Sequence, residues 1–511
     1  MHGQRHRPSF RKPPCRSRRP HQARTVGSSP TTANYTAPAN CPAPWSRVVL
    51  ELSASVSDIQ KDRIAAIWLN GAEILRTTTP FPMSPGVYWR VRKDVTRYTA
   101  LLRGTSELAM MLEMMLENSN FTFPGVYSVN VSLHFYRGAV HQSHDEGRLN
   151  AHPTIRGLYR EPADLIIPVS KTCGNVDGGF WFKVTNESDV QVAKITVPRN
   201  TYRAVLEVYV SHHDDDEYWY SNPLRTTTLA GHVGSGYGSK KPNGGFRQVW
   251  RWIDEICRLG SAVPVIYPGS INTSSGSSDG ASGHRPSFYD LDLTPFVGQL
   301  VDGRPHEFGS PFATASHTGL VDANLHLWLD AWSDQVEGAL VRYKVPTLRM
   351  SKQADWRNSD GKSEVEGQTI VRFSGWVSSS EGNTSTSIRH KIKFKSHIEV
   401  EDKGNTKNVE MESKARTTIR IERDHALLDL PHPLIPSRHS SLILHHLRLS
   451  SFIHGSSRTI LDCPCGCVLG VAVFAMYKLG FLPPFSEVLA KISCIRIKVT
   501  ADIVQGYLRR V

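Results

Sequence analysis

The chain has little of what marks several large functional classes. Its 511 residues hold only eight cysteines, too scattered for the disulfide framework that staples small secreted domains. Cys463, Cys465 and Cys467 are each separated by a single residue, a spacing without the two-to-four-residue gaps of common zinc ligands. The longest uncharged apolar run lies between Cys463 and Tyr477, contains Pro464 and several glycines, and falls short of or barely approaches the roughly 18 to 20 residues of a spanning helix. No stable membrane span is expected. Nor does the stretch from Met1 to Cys41 contain the apolar core of roughly 7 to 15 residues that a signal peptide carries. The glycine-rich "GHVGSGYGS", residues 231–239, lacks the Lys-Ser/Thr of a phosphate loop, and reads as a surface loop. The net charge is +13, yet there is no groove-reading helix, zinc finger or aromatic interleaving, so no nucleic acid partner is expected.

What is present is a β pattern. Short runs such as "RVVLELSAS", "RIAAIWL", "GVYSVNVSLHFY", "YRAVLEVYV" and "ANLHLWLD" are separated by Gly, Pro, Asn and Asp, the mark of strands and turns. In the last of these, His326, Trp328 and Asp330 share one face and Leu325, Leu327 and Leu329 the other, as period two requires. The segment 105–118, "TSELAMMLEMMLEN", has helical composition, although its near-continuous apolarity also fits a buried strand pair. A short internal echo, "VVLEL" with "ILRTTTP" and later "AVLEV" with "PLRTTTL", suggests two related units. Between Gly338 and Arg423 apolar and polar residues alternate again, and the Lys and Arg residues there fit an outer sheet face better than a binding stripe. The expected fold is mainly β, with two jelly-roll-like β-sandwich units and a further β-rich C-terminal portion.

The stretch "SHHDDDEYWYSNP", residues 211–223, directly follows the apolar "AVLEVYV". On an extended backbone Asp214, Asp216 and Tyr218 share one face, and Asp215, Glu217 and Trp219 the other. Each face carries acids followed by an aromatic, the residue types that hydrogen-bond sugar hydroxyls and pack against sugar rings. On the residues alone, a solvated strand end and a metal site stay open. Adjacent strand residues diverge and cannot all reach one ion, although a compact loop could supply two or three ligands.

The run "WSRVVLELSASVSDIQKDRIAAIWLNGAEILRTTTPFPMSPGVYWRVRKDVTRYTALL" resembles the plant peptide N-glycanase A family. The resemblance continues through "PGVYSVNVSLHFYRG", "YRAVLEVYVSHHDDDEYWYSNP", "VPVIYPGSIN", "YDLDLTPFVGQLVDGRPHEFG" and "DANLHLWLD". It covers roughly residues 31–345 and extends weakly to about 425. It implies a secreted or vacuolar glycoprotein of sandwich architecture that hydrolyses the amide between asparagine and N-acetylglucosamine and leaves aspartate on the peptide. Its partners would be N-glycosylated peptides or N-glycans. The family's "INPLxWRP" is replaced here by "INTSSGSSDGASGHRPSF", which removes a Trp and an Arg near the expected sugar cleft. A catalytically inactive N-glycan-binding or interaction protein on the same fold is therefore the alternative.

Amide hydrolysis needs a base for the water, an acid for the leaving nitrogen and donors for the oxyanion. Clustered carboxyls divide the proton roles by raising one another's pKa. Asp216 and Glu217 are the expected catalytic acids, with His213 as helper; Asp215, Trp219, Tyr220 and Trp328 are expected at the substrate. No metal and no cofactor are expected. Trp68 reads as core, while Asp330 and Trp332 stand where they could line the same cleft or serve a turn. Asn-x-Ser/Thr triplets at Asn34, Asn120, Asn130, Asn186, Asn272 and Asn383 are candidate glycosylation sites. The chain divides into a basic, disordered tail (1–30), the family-like sandwich region (31–345), a β-rich extension (346–425) and an atypical segment (426–511), either disordered or misassigned by the gene's reading frame.

Overall fold

The computed structural model describes residues 30–56, 63–79, 87–114, 127–137, 161–170, 179–184, 189, 191–212, 222–224, 244–254, 257–262, 288–310, 312–313, 319–346, 348–357, 360–402, 406–423 and 426–431, with three further segments at 15–19, 444–453 and 493–498. The described strands form five antiparallel sheets. Sheet A is ordered β1 (Cys15–Arg19), β8 (Tyr127–Tyr136), β3 (Arg47–Val56), β6 (Val87–Asp94). Sheet B is ordered β2 (Thr31–Thr36), β7 (Thr105–Met114), β4 (Arg63–Leu69), β5 (Ala72–Thr78). Sheet C is ordered β10 (Phe182–Val184), β18 (Gly319–Leu329), β12 (Thr201–His212), β15 (Phe288–Asp292), with β9 (Leu165–Pro168) also on β18. Sheet D is ordered β11 (Gln191–Ile195), β16 (His306–Ser310), β13 (Gln248–Ile253), β14 (Cys257–Ala262), with β17 (Phe312–Ala313) also on β13.

Renumbered within each unit, sheets A and B run 1-8-3-6 and 2-7-4-5, and sheets C and D repeat that order once β9 is set aside and β16 and β17 are counted together. The mainly β reading holds, and the second unit repeats the wrapping of the first. The internal echo is half structural. "VVLEL" lies on β3 and "AVLEV" on β12, which are equivalent strands, but "ILRTT" lies on β5 while residues 225–229 of its counterpart fall outside the described residues.

The sheets stack in the order A, B, C, D. Leu50, Leu52, Trp89 and Phe135 of sheet A meet Ile67, Leu69, Ile74 and Leu75 of sheet B in one core. Ala204, Leu206, Val208 and Val210 of β12, with Val321, Ala323, Leu325 and Leu327 of β18, meet Ala193, Ile195, Ile253 and Phe308 of sheet D in a second. Sheets B and C are therefore covered on both sides, and β5 and β12 have both faces buried.

The helical composition of 105–118 is overridden in the same way: residues 105–114 are strand β7. It pairs with β2 on one side and β4 on the other, Ala109 opposite Trp68. Ala109 packs in one cluster with Trp68 and Leu320, while Leu108 and Met110 pack against the core with sheet A. A strand with both faces covered needs apolar residues at consecutive positions, and this pairing outweighs the modest helix preference of Leu, Met, Ala and Glu.

A short helical turn (Thr294–Phe296) leads into helix α2 (Val297–Leu300), the earlier helix α1 being Thr99–Leu102. α2 rests on sheet E. That sheet comprises β19 (Glu337–Lys344), β20 (Arg349–Arg357), β21 (Asp360–Ser379), β22 (Gly382–Glu401), β23 (Thr406–Arg423), β24 (Ala426–Pro431), β25 (Leu444–Ile453) and β26 (Ser493–Lys498). Val371, Phe373, Ile388, Ile419 and Ile421 join it to the core of the second unit. Three strands of this sheet come from the atypical segment 426–511, and β1 comes from the basic tail. No described helix is long and apolar enough to cross a membrane.

The approach of α2 to sheet E leaves no room for side chains. A Cβ on Gly298 would stand 2.0 Å from the Gly338 carbonyl oxygen, and one on Gly375 2.3 Å from the Pro295 oxygen. Gly298→Ala is expected to lower stability by about 1–3 kcal/mol through overpacking, read as a fall in urea midpoint. Gly104→Ala, with nothing within 4 Å of the added atom, is the control and should stay within about 0.5 kcal/mol.

Candidate functional site

The faces that sheets B and C turn toward one another carry charge. Antiparallel register sets Glu207 of β12 opposite Asn324 of β18 on one side and Asp290 of β15 on the other. Period two places Glu207, Tyr209 and Ser211 on one face of β12, and Asp322, Asn324, His326 and Trp328 on the matching face of β18. The opposite faces hold the apolar residues packed on sheet D.

Glu207 is fully buried and is the hub. The Tyr98 hydroxyl lies 2.7 and 2.8 Å from its two carboxylate oxygens, Asn324 Nδ2 donates at 3.0 Å, and His326 Nε2 lies at 3.0 Å. Arg97 approaches to 3.4 Å and forks onto Asp290 at 3.0 and 3.2 Å. Burial opposes ionisation of Glu207, yet Arg97, His326 and Lys93 together hold it well below the usual carboxylate range. Burial, reinforced by Arg97, depresses His326, and its Nε2–H donates to the Glu207 carboxylate, which can only accept. Lys93 Nζ donates to the Tyr209 hydroxyl at 2.7 Å, and burial with the nearby Arg97 charge pushes it down to about 8.

A second cluster adjoins the first. Arg76 donates to both oxygens of Glu73 at 2.7 and 2.6 Å, and from Nη1 to Ser211 Oγ at 3.0 Å and the Leu320 carbonyl at 2.8 Å. Asp322 accepts from Ser170 Oγ at 2.6 Å and Trp68 Nε1 at 2.8 Å. Asn324 links the clusters, donating to the Glu73 carbonyl at 2.8 Å while its Oδ1 accepts from the Glu73 amide at 3.2 Å. Burial pushes Glu73 up to about 8, and the hydrogen-bonded Asp322 rises as well, burial again first among the causes. The two carboxyls titrate as a pair that keeps one proton beyond the usual range. The carboxyls of Glu73, Glu207, Asp290 and Asp322 thus meet Lys93, Arg76 and Arg97 within one enclosed layer.

This seam holds the end of β12. Ser211, gripped by Arg76 from the first unit, is one residue from the last described position of the strand. His213, Asp215, Asp216, Glu217, Trp219 and Tyr220 lie outside the described residues, as do Asn120, Asn186 and Asn272. Trp328 is 6% exposed: the Arg203 guanidinium covers its ring at 3.9 Å, and its Nε1 donates to the Glu161 carbonyl at 3.0 Å. Trp68 is a core residue, as its sequence context suggests. Asp330 accepts from the Ser380 amide at 2.6 Å and the Trp332 amide at 2.9 Å, which makes it a turn residue tying the second unit to sheet E; Trp332 is exposed. Asn34 and Asn383 are exposed on strands, and Asn130 is half-buried. Among the described residues no group of three or more His, Cys, Asp or Glu could hold a metal ion.

Sequence reading missed Glu73, Arg76, Lys93, Arg97, Glu207, Asp322 and Asn324. The signal was there, in polar residues at alternate positions of "LEVYVS" and "DANLH". Alternation marks a second face without saying what covers it.

Residues 20–346 match the family model for peptide N-acetyl-beta-D-glucosaminyl asparaginase amidase A. A curated protein of Prunus dulcis, peptide-N4-(N-acetyl-beta-glucosaminyl)asparagine amidase A, is 38% identical over 373 residues, which are 71% of this chain and 62% of that protein. The chain thus spans less than two thirds of that relative's length. Among solved structures, PNGase F, a glycosylasparaginase from Flavobacterium meningosepticum, superposes with a TM-score of 0.35 at 15% identity, covering 62% of this chain and 96% of that one. PNGF-II superposes with a TM-score of 0.38 at 10% identity, covering 62% of this chain and 65% of its own.

Glu207→Gln leaves Arg97 short of a buried partner and is expected to lower stability by about 3–5 kcal/mol, measured by urea unfolding near neutral pH. The pH dependence follows from Glu73, with an ordinary value of 4.5 and a folded value of about 8. Between the two, the unfolded chain gives up a proton that the folded chain keeps, so this stabilisation is full below the ordinary value and is lost as pH rises through the folded one. Lys93 adds a constant penalty below its folded value, Glu207 loses its contribution as pH falls below its ordinary value of 4.5, and the depressed His326 opposes the Glu73 trend on the acid side of its ordinary 6.5, a smaller effect than that of Glu73. The urea midpoint is expected to be higher near about pH 5 than near about pH 8, and Glu73→Gln should flatten that slope. A midpoint that is level or rising with pH in the parent chain contradicts the shared proton.

Proposed function

The chain belongs to the peptide N-acetyl-beta-D-glucosaminyl asparaginase amidase A family, and on that premise we propose that it hydrolyses the amide joining asparagine to N-acetylglucosamine in N-glycopeptides. Water adds its hydroxyl to the side-chain carbonyl carbon, the C–N bond breaks, and the nitrogen leaves on the glycan with a proton, so the peptide keeps aspartate. The observation that carries this reading is the family match across both sandwich units.

Asp216 and Glu217 are the proposed acids, one taking a proton from water and the other giving one to the departing nitrogen. His213 assists, and Asp215, Trp219 and Tyr220 engage the sugar. The support is their position in sequence: they come directly after β12, whose end is fixed by the Arg76–Ser211 bond, and acids that act on one amide need a rigid base. A secreted or vacuolar location is part of the proposal. It is supported by the disulfide at Cys41, a bond of oxidising compartments, and by the exposure of Asn34 and Asn383.

Incubation of the purified chain with an N-glycopeptide at acidic pH should release the glycan with the Asn-to-Asp mass gain on the peptide. Binding without release would instead give a glycan-binding protein on the same fold. Asp216→Asn or Glu217→Gln should reduce kcat by about 100- to 10,000-fold without moving the unfolding midpoint, and a chelator should leave the rate unchanged.

A further inference from the structure

Sheet E carries its own signal on its outer face. Val371, Phe373, Ile388, Ile392 and Phe394 point inward and are buried, so the alternate positions of β21, β22 and β23 face outward. Three successive cross-strand rows of that outer face are cationic. Lys344, Arg372 and Arg389 stand in one row; Lys391 and Arg416 are paired in the next; Arg349, Lys393 and Lys414 fall in the third. The remaining places in these rows are Ile370, Gln368 and Thr418 on β21 and β23, with no acid among them. Lys344, Arg349, Arg389, Lys393 and Arg416 are exposed, and Arg372 and Lys391 half-buried.

Like charges directly opposite one another destabilise a sheet, and the same face avoids them elsewhere. In the two rows beyond Lys393, Lys395 faces Glu366 with Nζ at 2.6 Å, and His397 faces Glu364 at 3.0 Å, with Glu412 and Glu410 completing the rows on β23. Among the described residues, none of the seven side chains of the cationic rows named above other than Lys414 makes an ion pair or a side-chain hydrogen bond. A chain able to pair its charges two rows away has left these unpaired in register, against sheet stability.

The lattice is flat. Its cations repeat at roughly 7 Å along a strand and roughly 5 Å between strands, and they do not converge on a pocket. That arrangement suits a polymer carrying an anion on each repeat better than a single small anion. The rows contain no aromatic residue on which bases could stack, which disfavours single-stranded nucleic acid. We propose that this face of sheet E docks a linear acidic polysaccharide whose uronate carboxylates pair with the Arg and Lys rows, holding the protein on an anionic matrix. Arg guanidinium groups donate paired N–H bonds to both oxygens of a carboxylate, and the docking is independent of the amidase reading.

The test uses the full chain and immobilised polygalacturonate, with a neutral galactan and a single-stranded oligonucleotide of matched length as comparison probes. Binding to polygalacturonate is expected, weakening by roughly tenfold or more between 50 and 200 mM salt, with none to galactan. The triple variant Arg389→Gln, Lys391→Gln, Lys393→Gln should bind at least tenfold more weakly, whereas Lys395→Gln, whose partner is Glu366, should bind as the parent does. Removing the opposed charges should leave the Tm of the triple variant equal or higher; a lower Tm means that these cations make stabilising contacts and overturns the premise. Unchanged binding by the triple variant, or equal or tighter binding of the oligonucleotide at the same salt, overturns the proposal.

Discussion

A carboxylate removed from water must be balanced where it lies, and in this protein that requirement fixes how two halves of the chain meet. Glu207 sits between two sheets with no solvent to turn to. Its partners come from both halves: Arg97 and Tyr98 from the first unit, Asn324 and His326 from the second. Separating the units or shifting them by one strand position would leave several buried charges uncompensated, each at a penalty of several kcal/mol. Apolar burial alone would tolerate sliding; this seam does not.

The repeated strand order explains how the seam can exist. Each unit wraps the same way and each places β-strands with both faces covered at its inner side. The first unit turns the Glu73 and Arg76 face of β5 outward, and the second turns the Glu207 face of β12 to meet it. The two apolar cores lie on the far sides, so the polar layer is enclosed by packed sheets and its low dielectric strengthens every bond within it. Ser211 and Leu320, near the matched ends of β12 and β18, are held by one guanidinium from the other unit. The described end of β12 is therefore a fixed point of the seam.

Much of the scaffold was legible in the sequence. Period-two runs located β3, β8, β12 and β18, and "LHLWLD" was assigned to its faces correctly, since Leu325 and Leu327 lie in the core with sheet D while His326 and Trp328 face the seam. The echo of "VVLEL" in "AVLEV" marked equivalent strands. Segment 105–118 was ambiguous because composition cannot distinguish a buried strand from a buried helix. The seam was not legible, because a polar residue on alternate strand positions ordinarily faces water. Trp68 bonds Asp322 across 254 residues, and Arg97 bonds Asp290 across 193; no local pattern encodes such partners.

If the seam joins the two sandwiches into one cooperative body, amide hydrogen exchange under native conditions should report it. Peptides covering β5, β12 and β18 are expected to share one opening free energy, that of global unfolding. Exchange of β5 through a separate, lower-energy opening while β12 and β18 stay protected would show that the units part independently, and would contradict the account.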